Sequence, residues 1–125
     1  MISLALTGYI AWSLRNIKNN YIFRIRAPQF VKSLTKQAST LIDYANDFQN
    51  YQQEIGDELA RIDVKLKAIE GRMRGESKQA VNDLRASIRE YESEPANEAK
   101  FRLTYRGMQR VIEEVKEYQE YLDLE

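Results

Sequence analysis

Residues 31–73 read VKSLTKQASTLIDYANDFQNYQQEIGDELARIDVKLKAIEGRM. In alternating steps of three and four they present Val31, Leu34, Ala38, Leu41, Ala45, Phe48, Gln52, Ile55, Leu59, Ile62, Leu66, Ile69 and Met73. Gln52 is the only polar member of the series. An apolar register held over about six heptads is the pattern of a long α-helix with one buried seam. Pro28 suits the first position of such a helix, where its missing N–H has no partner to lose. The spacing therefore predicts one outgoing helix over about 28–70, about 65 Å long.

Beyond it, Gly71 to Ser77 supply a break. Gly71 or Gly75 suits a left-handed C-terminal cap, and Gly75 or Ser77 suits the N-cap that follows. The register then returns through Ser77, Val81, Leu84, Ile88 and Tyr91. Glu94-Pro95 interrupts it. Ser93 or Glu94 is expected to cap a last helix with Pro95 in its first turn. Phe101, Tyr105, Met108, Ile112, Val115, Gln119 and Leu122 continue the spacing. Return helices are thus expected over about 77–92 and 95–122.

Outgoing and return arms of nearly equal length, joined by a short turn, predict an all-α fold. Its form is a long antiparallel helical hairpin or coiled-coil-like bundle. Pairing Glu70 with Ser77 sets Gln52 opposite Pro95, where the amide would meet a carbonyl freed by the proline. It also sets Leu59, Ile62 and Leu66 against Val81, Leu84 and Ile88. Lys65 and Lys67 lie off the seam, so their replacement is expected to matter little. The competing arrangement has a second break near Asn50 and folds the chain into a four-helix bundle of shorter segments.

Upstream, residues 1–14 carry no charged side chain. As a helix they would span about 21 Å, against about 30 Å for a bilayer core. Extension to Asn19 or Asn20, with Arg15 and Lys18 reaching outward, nearly closes that gap. No basic segment precedes the run, unlike a cleaved signal peptide. Residues 1–20 are therefore read as a short apolar helix and membrane anchor. Residues 21–27 form a basic-aromatic connector, and 28–125 the helical domain. A helix folded back on that domain, or lying in a membrane interface, is the other reading of the apolar run.

The formal net charge is +0, but the charge is unevenly placed. Arg15, Lys18, Arg24, Arg26, Lys32 and Lys36 all precede the first acidic residue, Asp43. Basic residues gather on the cytoplasmic flank of a membrane helix. The expected topology is N-terminus out and body cytoplasmic, or a cytoplasmic protein if nothing spans. These six residues are expected to touch an anionic membrane surface. Interleaved Tyr21, Phe23 and Phe30 also suit nucleic acid, but a neutral chain with an acidic body works against that partner.

Composition excludes much chemistry. The 125 residues include no cysteine and no histidine. Disulfides, thiolate metal sites and the commonest general base are absent. The stretch Gly71 to Lys78 lacks the spacing of a phosphate-binding loop, and no strand precedes it. Arg72, Arg74 and Lys78 remain as a basic turn, read as a solvated one, with contact to an anionic partner as the alternative. Glu113, Glu114, Glu117 and Glu120 lack the Glu-x-x-His partners of a di-metal bundle. No catalytic, cofactor-binding or metal-binding residue is assigned, and no cofactor is implied.

The half of the hairpin distant from Gly71 is too broadly apolar for two helices to cover. Ile42, Tyr44, Val111, Tyr118 and Tyr121 fall beside the seam there. They are read as an interface for a protein partner or a second copy, giving a homo-oligomer. The expected function is that of a non-enzymatic, membrane-tethered cytoplasmic helical scaffold or partner-binding module. The alternatives are a soluble helical adaptor whose first helix packs on the bundle, and a small nucleic-acid-associated protein.

Overall fold

A computed structural model describes residues 25–124 of the chain. Residues 1–24, and with them Arg15, Lys18, Arg24 and the apolar run, lie outside the described residues, as does the side chain of Leu122. The described residues form an all-α bundle. Helix α1 is described over 25–45, followed by α2 (Gln52–Glu70), α3 (Gly75–Ser93) and α4 (Glu98–Leu124).

The outgoing segment is two helices. Turns at 46–50 and a bend at Tyr51 end α1 and reverse the chain. The local reason is Asn46, Asp47 and Asn50, whose short polar side chains compete with the helical ladder. The Asn50 amide donates to the Asp47 carboxylate at 2.8 Å, and the Tyr51 N–H reaches the Phe48 carbonyl at 3.3 Å. Tyr44 and Tyr51 stack across the reversal with centroids 5.2 Å apart. The apolar register persists because Phe48 points inward from the turn as it would from a helix. It is 7% exposed.

Two further expectations at helix ends are corrected. Helix α1 already includes residues 25–27, so Pro28 is not its first residue. Ala27 is fully buried and part of the core. Pro95 lies in the α3–α4 turn, ahead of α4. Asn97 caps that helix instead, its Oδ1 accepting the Lys100 N–H at 3.1 Å.

Side-chain bridges run between consecutive helices. Lys65 on α2 reaches Ser33 and Gln37 on α1. Arg85 on α3 binds Asp63 at 2.9 Å and Glu70 at 2.7 Å on α2. Its already high pKa rises further, chiefly through the Asp63 hydrogen bond. Thr104 on α4 donates to the Ser87 carbonyl, and Arg110 binds Asp83 at 2.8 Å. Helices α3 and α4 approach closely at Gly107, where an added Cβ would lie 3.2 Å from the Leu84 side chain. Ile42 and Ala45 of α1 share a cleft with Phe101 and Tyr105 of α4. Each sequential pair is antiparallel, in the up-down-up-down manner of short-loop bundles.

The core follows the expected seam closely. Leu34, Ala38, Leu41, Ile55, Leu59, Ile62, Leu66 and Met73 are buried with Val81, Leu84, Ile88, Met108 and Val115, while on α4 Thr104 and Val111 are buried where Tyr105 and Ile112 were expected, and those two are only partly buried. Gln52 and Pro95 do line one cleft, beside Tyr91. The juxtaposition has a simpler cause than a bond across a helix gap. Both residues stand at chain reversals on the same end of the bundle. The Tyr91 carbonyl accepts the Glu94 N–H at 2.9 Å.

At the α2–α3 turn the left-handed residue is Gly75, at φ 62, while Gly71 is right-handed at φ −69. An added Cβ meets nothing at either glycine, so only conformation separates them. Gly75→Ala is expected to cost about 1–2 kcal/mol. Gly71→Ala is expected to be neutral or stabilising by up to about 1 kcal/mol. Urea denaturation of the two variants compares them directly.

Phe48, Tyr91 and Phe101 form an aromatic cluster at the Phe48 end, with centroids 5.7 to 6.5 Å apart. The Tyr91 ring is fully buried, and its hydroxyl finds no hydrogen-bond partner among the described residues. A buried hydroxyl without a partner costs about 1–3 kcal/mol of desolvation. Tyr91→Phe is therefore expected to raise the urea midpoint. Burial also pushes the Tyr91 pKa above its ordinary value of 10.0. The folded state then holds the phenolic proton more tightly than the unfolded chain does. That contribution is complete below about pH 10 and is lost as pH rises through the folded pKa. Tyr91→Phe should lessen the fall of stability in that alkaline range. A lower midpoint for the variant would mean that the hydroxyl is bonded in solution.

Candidate anion-binding groove

The reversal at 46–51 lays the first described turns of α1 beside the last turns of α2. Between them runs an open groove of about 300 Å³. Arg26, Gln29, Phe30 and Ser33 line it from α1, and Lys65, Ala68, Ile69 and Arg72 from α2 and the turn after it. Helical spacing explains the set. Residues 26, 29, 30 and 33 share one face of α1, and 65, 68, 69 and 72 one face of the other wall. Phe30, Ala68 and Ile69 supply apolar surface, and three cations stand with them.

Lys65 is the central charge and is half-buried. Its ammonium donates to the Ser33 hydroxyl and, at 3.0 Å, to Gln37 Oε1. Both acceptors are neutral. No aspartate or glutamate is among the residues lining the groove. Arg72 donates to the Ala68 carbonyl at 3.2 Å, again a neutral acceptor. A partly desolvated cation is favoured by an opposite charge nearby. Here three cations share a groove that supplies none. The arrangement suits an anionic group.

The expected surface residues divide. Arg26 lines the groove, whereas Lys32 and Lys36 are exposed on α1 and outside its lining. Of the other two groove cations, Arg72 is read from the sequence as part of a basic turn with Arg74 and Lys78. Lys65 is off the seam, and from the sequence its replacement is expected to matter little. Its two bonds to α1 correct that expectation, while Lys67 is exposed as expected. The signal in the sequence that brings Lys65 and Arg72 to Arg26 is the possible break near Asn50, since that break lays 26–33 beside 65–72.

The expected partner interface is also divided. Val111 is fully buried in the core, so it offers no surface to a partner. The fold supplies the reason. Helices α1 and α4 cover α2 and α3 within one chain, which buries much of the width that a two-helix hairpin would leave open. Tyr44 is half-buried on Tyr51, and Ile42 is 41% exposed at the C-terminal end of α1. Tyr118 stacks on Tyr121 near the C-terminus of α4, with centroids 6.4 Å apart. These pairs sit at opposite ends of the bundle and do not make one patch.

Comparison with known protein families, with curated proteins and with solved structures finds no match. Among the described residues no helix is long and apolar enough to cross a membrane. Nor do three or more Asp, Glu, His or Cys side chains there gather to hold a metal ion.

Proposed function

We propose that this chain is a non-enzymatic helical module working at an anionic membrane surface, with its α1–α2 edge toward the lipid. Charge asymmetry around the bundle carries the reading. Described residues 25–42 include Arg26, Lys32 and Lys36 and no acid. Lys65 and Arg72 add to the same edge. The last half of α4 carries Glu113, Glu114, Glu117 and Glu120. Helix α2 itself carries Glu54, Asp57, Glu58, Asp63 and Glu70, so the basic surface is the α1 side and the groove wall at Lys65 and Arg72, and that face is the one set toward anionic lipid. The uncharged residues 1–14 support an anchor that tethers the bundle with the N-terminus out and the body cytoplasmic. A chain without histidine or cysteine supports a binding role over a catalytic one.

Membrane fractionation of the full chain and of a form lacking residues 1–20 tests this function. The full chain is expected with the membranes. The shorter form is expected to bind weakly and to leave at high salt, where screening shortens the reach of surface charge. A full chain that stays in the soluble fraction at low salt overturns the proposal.

A second reading, that of an adaptor binding a protein partner or a second copy, is favoured by Ile42 and Leu103. They are 41% and 58% exposed, Leu103 on the first half of α4 and Ile42 beside it on α1. Light scattering on wild type and an Ile42→Glu, Leu103→Glu variant separates the readings. A dimer that the variant converts to monomer supports self-association.

A further inference from the structure

We propose that the α1–α2 groove is a binding site for the phosphate head of an anionic phospholipid. This rests on the membrane-surface reading above and gives it a specific contact. Three observations point to the ligand class. The first is charge: Arg26, Lys65 and Arg72 line the groove and no carboxylate does. The second is how Lys65 is held. Ser33 and Gln37 fix the ammonium in place between the helices, and neither offsets its charge. A phosphate oxygen at the groove would supply that charge through short, charge-assisted hydrogen bonds. The third is the apolar surface of Phe30, Ala68 and Ile69 beside the cations. Free phosphate has no use for it, whereas the glycerol and first methylenes of a lipid do.

Size and position agree with this ligand. A groove of about 300 Å³ is at the small end for ligand pockets and admits a headgroup, not a whole lipid. The remaining chains would stay in the bilayer. The groove also opens at the end of the bundle where α1 is first described, the described end nearest in sequence to the uncharged residues 1–14.

The test uses the full chain with three probes. They are phosphatidylcholine vesicles with and without phosphatidylglycerol, a short-chain phosphatidylglycerol below its micelle concentration, and inorganic phosphate. One pair of variants removes groove charge: Lys65→Met with Arg72→Gln. A second groove pair, Arg26→Gln with Arg72→Gln, spares the Lys65 contacts should the first fail to fold. The control pair, Lys67→Gln with Lys78→Gln, removes equal charge from exposed sites outside the groove. Each groove charge is expected to be worth about fivefold in vesicle affinity, so a groove pair should lose about 25-fold and the control pair much less. Short-chain lipid should shift the NMR signals of Lys65 and Ile69, and inorganic phosphate should compete only weakly. Equal losses from groove and control pairs overturn the groove assignment while leaving the membrane reading standing. Short-chain lipid binding without vesicle binding leaves the groove standing and overturns the membrane reading. Inorganic phosphate binding as tightly as the lipid assigns the groove to free phosphate and overturns the lipid.

Discussion

Replacing Phe48 by alanine is expected to lower the unfolding free energy by about 3–5 kcal/mol, the range for a buried aromatic truncated in a packed core. Phe48 occupies a turn, where truncations are usually mild, so the size of the effect is diagnostic. Its ring packs edge-on to Tyr91 with centroids 6.5 Å apart and lies 5.7 Å from Phe101. It thereby joins the α1–α2 reversal to the end of α3 and the start of α4. Losing it leaves a cavity where four helix ends meet, and those ends cannot close on it without moving the turn. Tyr51→Ala is the comparison, since Tyr51 is 39% exposed and outside the core. Its cost should be near that of an ordinary surface change with some loss of stacking on Tyr44. Urea denaturation followed by circular dichroism measures both. Equal costs for Phe48→Ala and Tyr51→Ala would mean that the turn is not anchored through Phe48.

The second large effect lies at the middle of α2. Leu59→Ala and Ile62→Ala are each expected to cost about 2–5 kcal/mol. Both side chains are fully buried, in one core cluster with Val81, Leu84 and Ile88. In a four-helix bundle such a residue faces the central axis, so the neighbouring helices all bound the resulting cavity. That limits collapse and favours the upper part of the range. Lys67→Ala is the matched control on the same helix, exposed and off the seam. It should stay within about 0.5 kcal/mol. A Lys67 variant as damaging as Leu59→Ala would mean that the inward face of α2 is misassigned. Lys65→Ala should fall between them, because Lys65 ties α2 to α1 through Ser33 and Gln37.

Which residues face inward was legible in the sequence, because a helix repeats its face every 3.6 residues and burial demands an apolar one. Leu34, Leu41, Ile55, Leu59, Ile62, Leu66, Val81, Leu84, Ile88, Met108 and Val115 all lie in the core at their expected spacing. The break between α2 and α3 was legible too, since Gly71 to Ser77 mark it. The reversal at 46–51 was not, beyond being one of two possibilities. That stretch contains no glycine or proline, and Phe48 keeps the register whether the chain runs straight or turns back. Local pattern cannot choose between those paths, because each buries the same seam. Tertiary packing decides. A straight hairpin leaves the flanks of α1 and α4 uncovered, whereas the bundle lays them on α2 and α3 and buries Val111 and Thr104 as well. The groove follows from that decision alone. Arg26 and Lys65 are 39 positions apart in the chain, and in one continuous helix they would stand tens of ångströms from each other. Only the fold-back places them on the walls of one groove, so the site belongs to the tertiary structure and its component charges to the sequence.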